Sequence, residues 1–254
     1  AARVEPGEVF VMETNDRFRD WNDSGNWPME QLSVMTGPVC IEGAQPGQTL
    51  AVEVLDIRPT QGFGYVVAIP GYGLLKDQIE FCKKVLPIEG NRIRYSDTIS
   101  LPFIPNVSKI GLAPSGGALP SNAVGTFGGQ LSNSQLGPGS TVFLPVSVEG
   151  GMLTIEDIHA RMGDGEATAS AVEIAAEVTL RCRIADELQL QRPLVITKDE
   201  VLTMGDGETA EIAARSALED LSRLLVDRAG VNQTEAAMLA SVAADLRISE
   251  MAGS

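Results

Sequence analysis

Residues 172–184 read VEIAAEVTLRCRI, and every second position is apolar. One row is Val172, Ile174, Ala176, Val178, Leu180, Cys182 and Ile184; the other is Glu173, Glu177, Thr179, Arg181 and Arg183. Side chains alternate across a strand, so the pattern predicts one half-buried strand with the first row inward and the charged row outward. Carried backwards, the same parity sets Glu166, Thr168 and Ser170 in line with the inward row. A polar patch at one end of an apolar face is where a pocket mouth forms.

The chain on either side agrees with a sheet protein. The first 150 residues are rich in Gly and Pro, with short apolar runs such as TLAVEVLDI between turn signals, which reads as all-β. Helices are not expected there, with LLKDQIEF at 74–81 the one exception allowed. PGEVFVMETND (6–16) and PGQTLAVEVLD (46–56) share a turn, a strand and a Glu three positions before an Asp. They read as a repeated unit in which Asp16 and Asp56 leave their strands at equivalent places; two ordinary strands of similar sequence are the plainer alternative. The last third changes character. TAEIAARSALEDLSRLLVDRAG has helical spacing and ends on Gly230, and Asn232 with Glu235 has the spacing of a capping box. The expected class is α+β, predominantly β, with sandwich or barrel-like sheets and two C-terminal helices packed on them. Residues 1–150 form a β-rich domain in this reading, and 151–254 an α+β portion that completes the same site.

Composition excludes several function classes. The net charge of −15 repels phosphate backbones and anionic membranes, so nucleic acid and membrane partners are not expected. No apolar run approaches the roughly 18 residues that span a bilayer. The opening residues have no basic and apolar leader pattern, although the absence of an initial Met leaves a preceding segment open. Cys40, Cys82 and Cys182 are odd in number and lack metal-site spacing, which reads as three buried free thiols in a cytoplasmic protein. There is no phosphate-binding loop and no dinucleotide fingerprint, hence no nucleotide cofactor is expected.

The chemistry-bearing stretch is IEDIHARMGDGE, 155–166, which holds the single histidine, His159. In an extended chain Asp157 and His159 share a side, and the Asp-Gly turn at 164–165 can return Glu166 toward the imidazole. That gives an acid/base cluster, a metal site of mixed oxygen and nitrogen ligands, or a structural Asp–His pair. MGDGE recurs at 204–208 before a helix and without the D-x-H, where it reads as a turn and helix entry. The second candidate is GTFGGQLSNS, 125–134. Gly128 and Gly129 could offer backbone N–H groups to an oxyanion, with Gln130 and Ser132 as polar contacts, and a flexible hairpin is the plainer account.

VEPGEVFVMETNDRF, TGPVCIEGAQPGQTLAVEVLDI, GTFGGQLSNSQLGPGSTVFLPVSVEGG and EDIHARMGDGEATASAVE together resemble the acetamidase/formamidase family over about residues 4–249. The D-x-H-A-x-x-G-D-G-E segment is the most specific piece. The resemblance implies a β-rich fold, a homo-oligomer, and hydrolysis of a short linear amide to carboxylate and ammonia. It implies Asp16, Asp157, His159 and Glu166 as catalytic groups, with Asp164 beside them. Phe127, Gly128, Gly129, Gln130 and Ser132 then contact substrate, and Asp157 and His159 become ligands of a divalent metal whose identity is left open. Where the family commonly reads G-x-H-G-G-N-M-D, this chain has Phe127, Gln130 and Ser132 in place of His, Asn and Asp. One imidazole and one carboxylate are thereby lost from the expected pocket. Three classes follow: an amidohydrolase with altered substrate preference, an inactive binding or regulatory protein that keeps the fold, or a purely structural domain, which leaves the retained D-x-H and GDGE unexplained.

Overall fold

The computed structural model describes residues 1–18 and 34–251. In chain order the strands are β1 (Ala2–Val4), β2 (Val9–Thr14), β3 (Thr36–Ile41), β4 (Thr49–Pro59), β5 (Phe63–Ala68), β6 (Cys82–Glu89), β7 (Arg92–Arg94), β8 (Ser100–Pro102) and β9 (Asn106–Gly111). There follow β10 (Val124–Gly125), β11 (Gly128–Gln130), β12 (Thr141–Pro145), β13 (Leu153–Arg161), β14 (Val172–Ile174), β15 (Ala176–Ile184), β16 (Leu194–Ile196) and β17 (Val201–Thr203). Helices α1 (Ala210–Ala229) and α2 (Gln233–Ala243) close the order. One sheet has six strands, β17-β16-β12-β4-β15-β2. The other has eleven, β10-β11-β9-β13-β14-β5-β6-β7-β8, with β3 alongside β13 and β1 parallel to β3.

Residues 172–184 are two strands, not one. The chain breaks at Ala175, where it leaves the eleven-stranded sheet as β14 and enters the six-stranded sheet as β15. The inward row from Val172 to Cys182 is buried, as the alternation predicts. Glu173 is the exception on the outward row: it is 1% exposed. The reason is that β14 is an interior strand between β13 and β5, with Glu173 opposite Tyr65. Tyr65 packs on a small apolar group of Phe18, Val67 and Ile69, so the face away from the main core is also covered.

The two repeated segments supply β2 and β4, which flank β15 on its two edges, both antiparallel. Their aspartates are not equivalent. In β4 the register shifts between Thr179 and Leu180, leaving Leu55 as the extra residue of a bulge. The inward set changes parity there, from Leu50, Val52 and Val54 to Ile57, and Asp56 remains exposed within the strand. Asp16 lies beyond the end of β2 and is buried.

Val52, Leu144 and Leu180 of one sheet meet Ile110, Ile155 and Ile158 of the other in a single core. Both sheets draw strands from either side of residue 150, so the two portions share that core. The stretch 74–81 forms turns, not a helix. Leu74 and Leu75 are 55% and 46% exposed, so a helix there would have no apolar surface to bury against. Cys40 and Cys182 are buried, whereas Cys82, at the start of β6, is exposed.

The helices follow their sequence signals. The Thr209 side chain accepts from Ile212 N–H at the start of α1, and Gly230 ends it at φ 68°. Asn232 and Glu235 make both bonds of the capping box of α2. Helix α1 lies on the six-stranded sheet: Thr203 Oγ1 donates to the Ala217 carbonyl at 2.8 Å, and Leu224 packs with Ala51, Phe143 and Leu194. Helix α2 packs on α1 and buries Ala236 and Ala240.

Candidate active site

Strand β13 carries the site because its backbone turns over at one residue. Asp157 is in the left-handed region, φ 63°, which short polar Asp tolerates better than most residues. Before it the core takes Leu153 and Ile155; after it, Ile158 and Ala160. The change of parity puts Glu156 and His159 on the face away from the core, with Asp157 between them. Ladder register then sets Lys109 of β9 opposite Glu156, and Glu173 of β14 opposite His159.

The result is a buried cluster of charge. His159 Nε2 lies 3.2 Å from Glu173 Oε2, 3.4 Å from Asp157 Oδ1 and 3.9 Å from Glu166 Oε1. Lys109 Nζ is 2.9 Å from Glu156 and 3.9 Å from Asp157, and Arg17 reaches Asp157 at 3.2 Å. The tight Asp-Gly turn brings Glu166 inward, at φ 38°, whereas Asp164 is exposed and accepts a hydrogen bond from Ser134 at 2.6 Å. Asp16 accepts from Phe18 N–H at 2.9 Å, an Asx turn that aims Arg17, and from the Gln61 side chain at 3.0 Å.

Burial opposes charge on Asp157, His159, Glu166 and Glu173, and their partners decide which stay ionised. For Asp157 burial is outweighed by Arg17 and His159, which hold its carboxyl well below the usual range. For His159 the carboxylates of Glu173 and Asp157 outweigh burial and raise the imidazole well above its ordinary value. Burial pushes Glu166 up to about 8 and raises Glu173 as well, against the pull of His159 in both.

A cavity of about 870 Å³ opens in front of the cluster. Its wall includes Arg17, Lys109, Glu166, Gln130, Met204 and Glu250, so three groups that touch the Asp157–His159 pair reach it directly. The second GDGE segment also contributes: Met204, Gly205 and Asp206 line the cavity, and a Cβ at Gly205 would meet the Ala213 carbonyl of α1 at 2.2 Å.

The GTFGGQLS segment is built into the sheet. Gly128 and Gly129 stand between β10 and β9, at φ 92° and 90°, and a Cβ on Gly129 would lie 2.1 Å from the Ala123 carbonyl. Close backbone packing, not flexibility, requires glycine there. The Phe127 carbonyl accepts from Leu112 N–H at 2.9 Å. Ser132 is fully buried at φ 44°, and its hydroxyl and the Gln130 amide donate to Glu250 Oε2 at 2.6 and 2.7 Å.

Arg17, Lys109, Glu156, Glu173 and Glu250 escaped the sequence reading. Glu156 and Asp157, two adjacent acids within one strand, are a usable signal. The pairings of Lys109, Glu173 and Glu250 come from sheet register and chain return, which no local pattern reports.

The ligand atoms of Asp157, His159 and Glu173 all lie within 4.8 Å of one another. Among the described residues, neither nitrogen of His159 nor Glu173 Oε2 finds an aligned hydrogen-bond partner, although all are buried. One imidazole nitrogen with the carboxylate oxygens of Asp157 and Glu173, buried and close together, is a mixed donor set that fits a divalent cation, which would take the place of the proton held by the imidazole.

Comparison with known proteins follows the same line. The model of the Acetamidase/Formamidase family matches residues 1–126 and 122–252. A crystal structure of acetamidase from Bacillus halodurans superposes with TM-score 0.94 at 35% identity, covering 99% of this chain and 87% of that one. An acetamidase of Mycolicibacterium smegmatis is 28% identical over 239 residues, 65% of this chain and 58% of its own. A formamidase of Methylophilus methylotrophus is 25% identical over 248 residues, 71% of this chain and 60% of its own. The chain thus spans about three fifths of these curated relatives.

Proposed function

The chain belongs to the acetamidase/formamidase family, and on that premise we propose that it is an amidohydrolase, releasing carboxylate and ammonia from a linear amide. The observation that supports this most is His159 facing Asp157, Glu173 and Glu166 behind a cavity that Glu166, Arg17 and Lys109 line.

Asp157, His159 and Glu173 would hold a divalent cation, whose chemistry there is to polarise the amide carbonyl as a Lewis acid. Asp157, fixed by Arg17 and Lys109, orients the imidazole. Water adds to the carbonyl carbon and loses a proton, the carbon–nitrogen bond breaks, and the departing nitrogen gains a proton. Glu166 relays it, giving its own proton to the nitrogen and taking one back from the added water, because it is the carboxyl that both touches His159 and reaches the cavity. Arg17 and Lys109 supply positive charge for the developing oxyanion, a role for which Gly128 and Gly129, enclosed by two ladders, are less well placed. Asp16 acts through its turn, as a positioning residue for Arg17. Phe127, Gln130 and Ser132 bias the site toward acyl groups bulkier than formyl, for which the cavity has room.

Ammonia release from formamide, acetamide, propionamide and butyramide tests this, measured after chelation and after reloading with zinc or manganese while elemental analysis follows the bound cation. The reading expects release that grows from formamide to the larger amides, and cation retention that falls when Glu173 is replaced by Gln. Binding of amides without ammonia from any of them, in cation-loaded protein, would favour the binding or regulatory class instead.

A further inference from the structure

Glu250 reaches the cavity wall from the far end of the described chain. Its backbone runs beside the GDGE loop: Gly165 N–H donates to the Ser249 carbonyl at 3.1 Å, and Met251 N–H donates to the Gly165 carbonyl at 3.0 Å. The segment is therefore anchored on the turn that presents Glu166. Its side chain is fixed independently, since both hydrogen bonds from Gln130 and Ser132 fall on one oxygen, Oε2.

Those two donors are neutral. The other Arg, Lys, Asp and Glu side chains on the cavity wall have partners of opposite sign: Arg17 has Asp157, Lys109 has Glu156, Asp206 has Arg192, and Glu166 has His159. Among the described residues Glu250 has no ion pair, and Oε1 has no hydrogen-bond donor. An anchored carboxylate with one oxygen satisfied and its charge unmatched leaves negative potential in the cavity. In a partly enclosed site that potential acts on a bound ligand more strongly than on a solvated one.

We propose that Glu250 is a specificity-determining residue of the amide site, which selects acyl groups bearing a positive charge or hydrogen-bond donors over anionic ones. The inference rests on the amidohydrolase reading for its reaction, but not for its charge preference. The substrate class is an amide whose acyl chain carries an ammonium or polar N–H substituent beyond the carbonyl carbon. The 870 Å³ cavity has room for such a substituent beyond the amide itself.

Three amides of nearly the same size isolate the charge: glycinamide, propionamide and malonamate, which differ in carrying an ammonium, a methyl or a carboxylate on the acyl CH₂. In the full chain, kcat/KM for glycinamide should exceed that for malonamate, and the glycinamide-to-propionamide ratio should fall as salt is raised. E250Q keeps an acceptor for Gln130 and Ser132 and removes the charge. It should lower the glycinamide-to-propionamide ratio by about twofold to fivefold, the size expected of one partly exposed charge pair, mostly through KM. Equilibrium binding of the same three compounds, by calorimetry, separates the two claims. If nothing is hydrolysed but binding shows the cation preference and E250Q loses it, the specificity assignment stands while the amidase reading fails. If turnover is present and the ratio is the same in the full chain and E250Q, or is insensitive to salt, the assignment is overturned.

Discussion

Asp157 makes the site with one torsion angle. Were it an ordinary strand residue, the parity of Leu153 and Ile155 would continue and His159 would point into the sandwich core. Among the described residues, three of the five non-glycine positions at positive φ, Asp157, Glu166 and Ala169, belong to the cluster or line the cavity, and a fourth, Ser132, holds Glu250. Such conformations cost of order 1–3 kcal/mol each and persist where their surroundings fix them. Ser132 gives a test at this scale. From sequence, an Asp at 132 would restore a carboxylate that the family commonly has. Glu250 Oε2 already stands 2.6 Å from the Ser132 hydroxyl, so S132D brings two carboxylates together. We expect it to cost about 1–3 kcal/mol in urea unfolding, and expect the double variant S132D/E250Q to recover most of that loss. Equal losses in the single and double variants would show that the two side chains do not meet.

At the scale of elements, β11 is a strand made mostly of glycine, and packing accounts for it. G129A places a methyl 2.1 Å from the Ala123 carbonyl at a φ of 90°. Positive φ and a backbone clash together should cost more than about 2 kcal/mol, read as a lower melting temperature; G116A, where a Cβ meets nothing within 4 Å, is the control. A small loss at Gly129 would mean that the segment is the flexible hairpin its composition suggests. Strand β15 and both helices are legible in sequence because their signals are local: strict alternation, an N-cap box, a terminal glycine. The break at Ala175 is not legible, since the alternation passes through it unchanged while the chain moves from one sheet to the other. Glu173 is misread for that reason. Its row faces solvent in β15 but lies in the interior of the sheet in β14. The D-x-H and GDGE residues could be found because they are close in sequence, whereas Lys109, Glu173 and Glu250 join them only through register and the return of the C-terminal segment.

For the whole molecule, the site is held by both portions of the chain. Arg17 and Lys109 come from before residue 150, and Asp157, His159, Glu166 and Glu173 from after it, across sheets that interleave the two. Met238 and Val242 on α2, and Leu246 and Ile248 just after it, are 64%, 81%, 63% and 48% exposed. Apolar side chains of this kind, covered by a second copy, are the basis on which a homo-oligomer is proposed. Light scattering should give a mass above the 26.9 kDa of one chain, and V242E should reduce it; a monomer at micromolar concentration would contradict this. The account as a whole turns on His159, which has no second imidazole in the chain to stand in for it. Its most direct test is ammonia release by His159→Ala against the parent protein, on cation-loaded samples with matched circular dichroism. The account predicts a loss of at least about a hundredfold in kcat, the usual scale for removing a proton-transfer or ligand group. Turnover within a few-fold of the parent, in a folded variant, would contradict it.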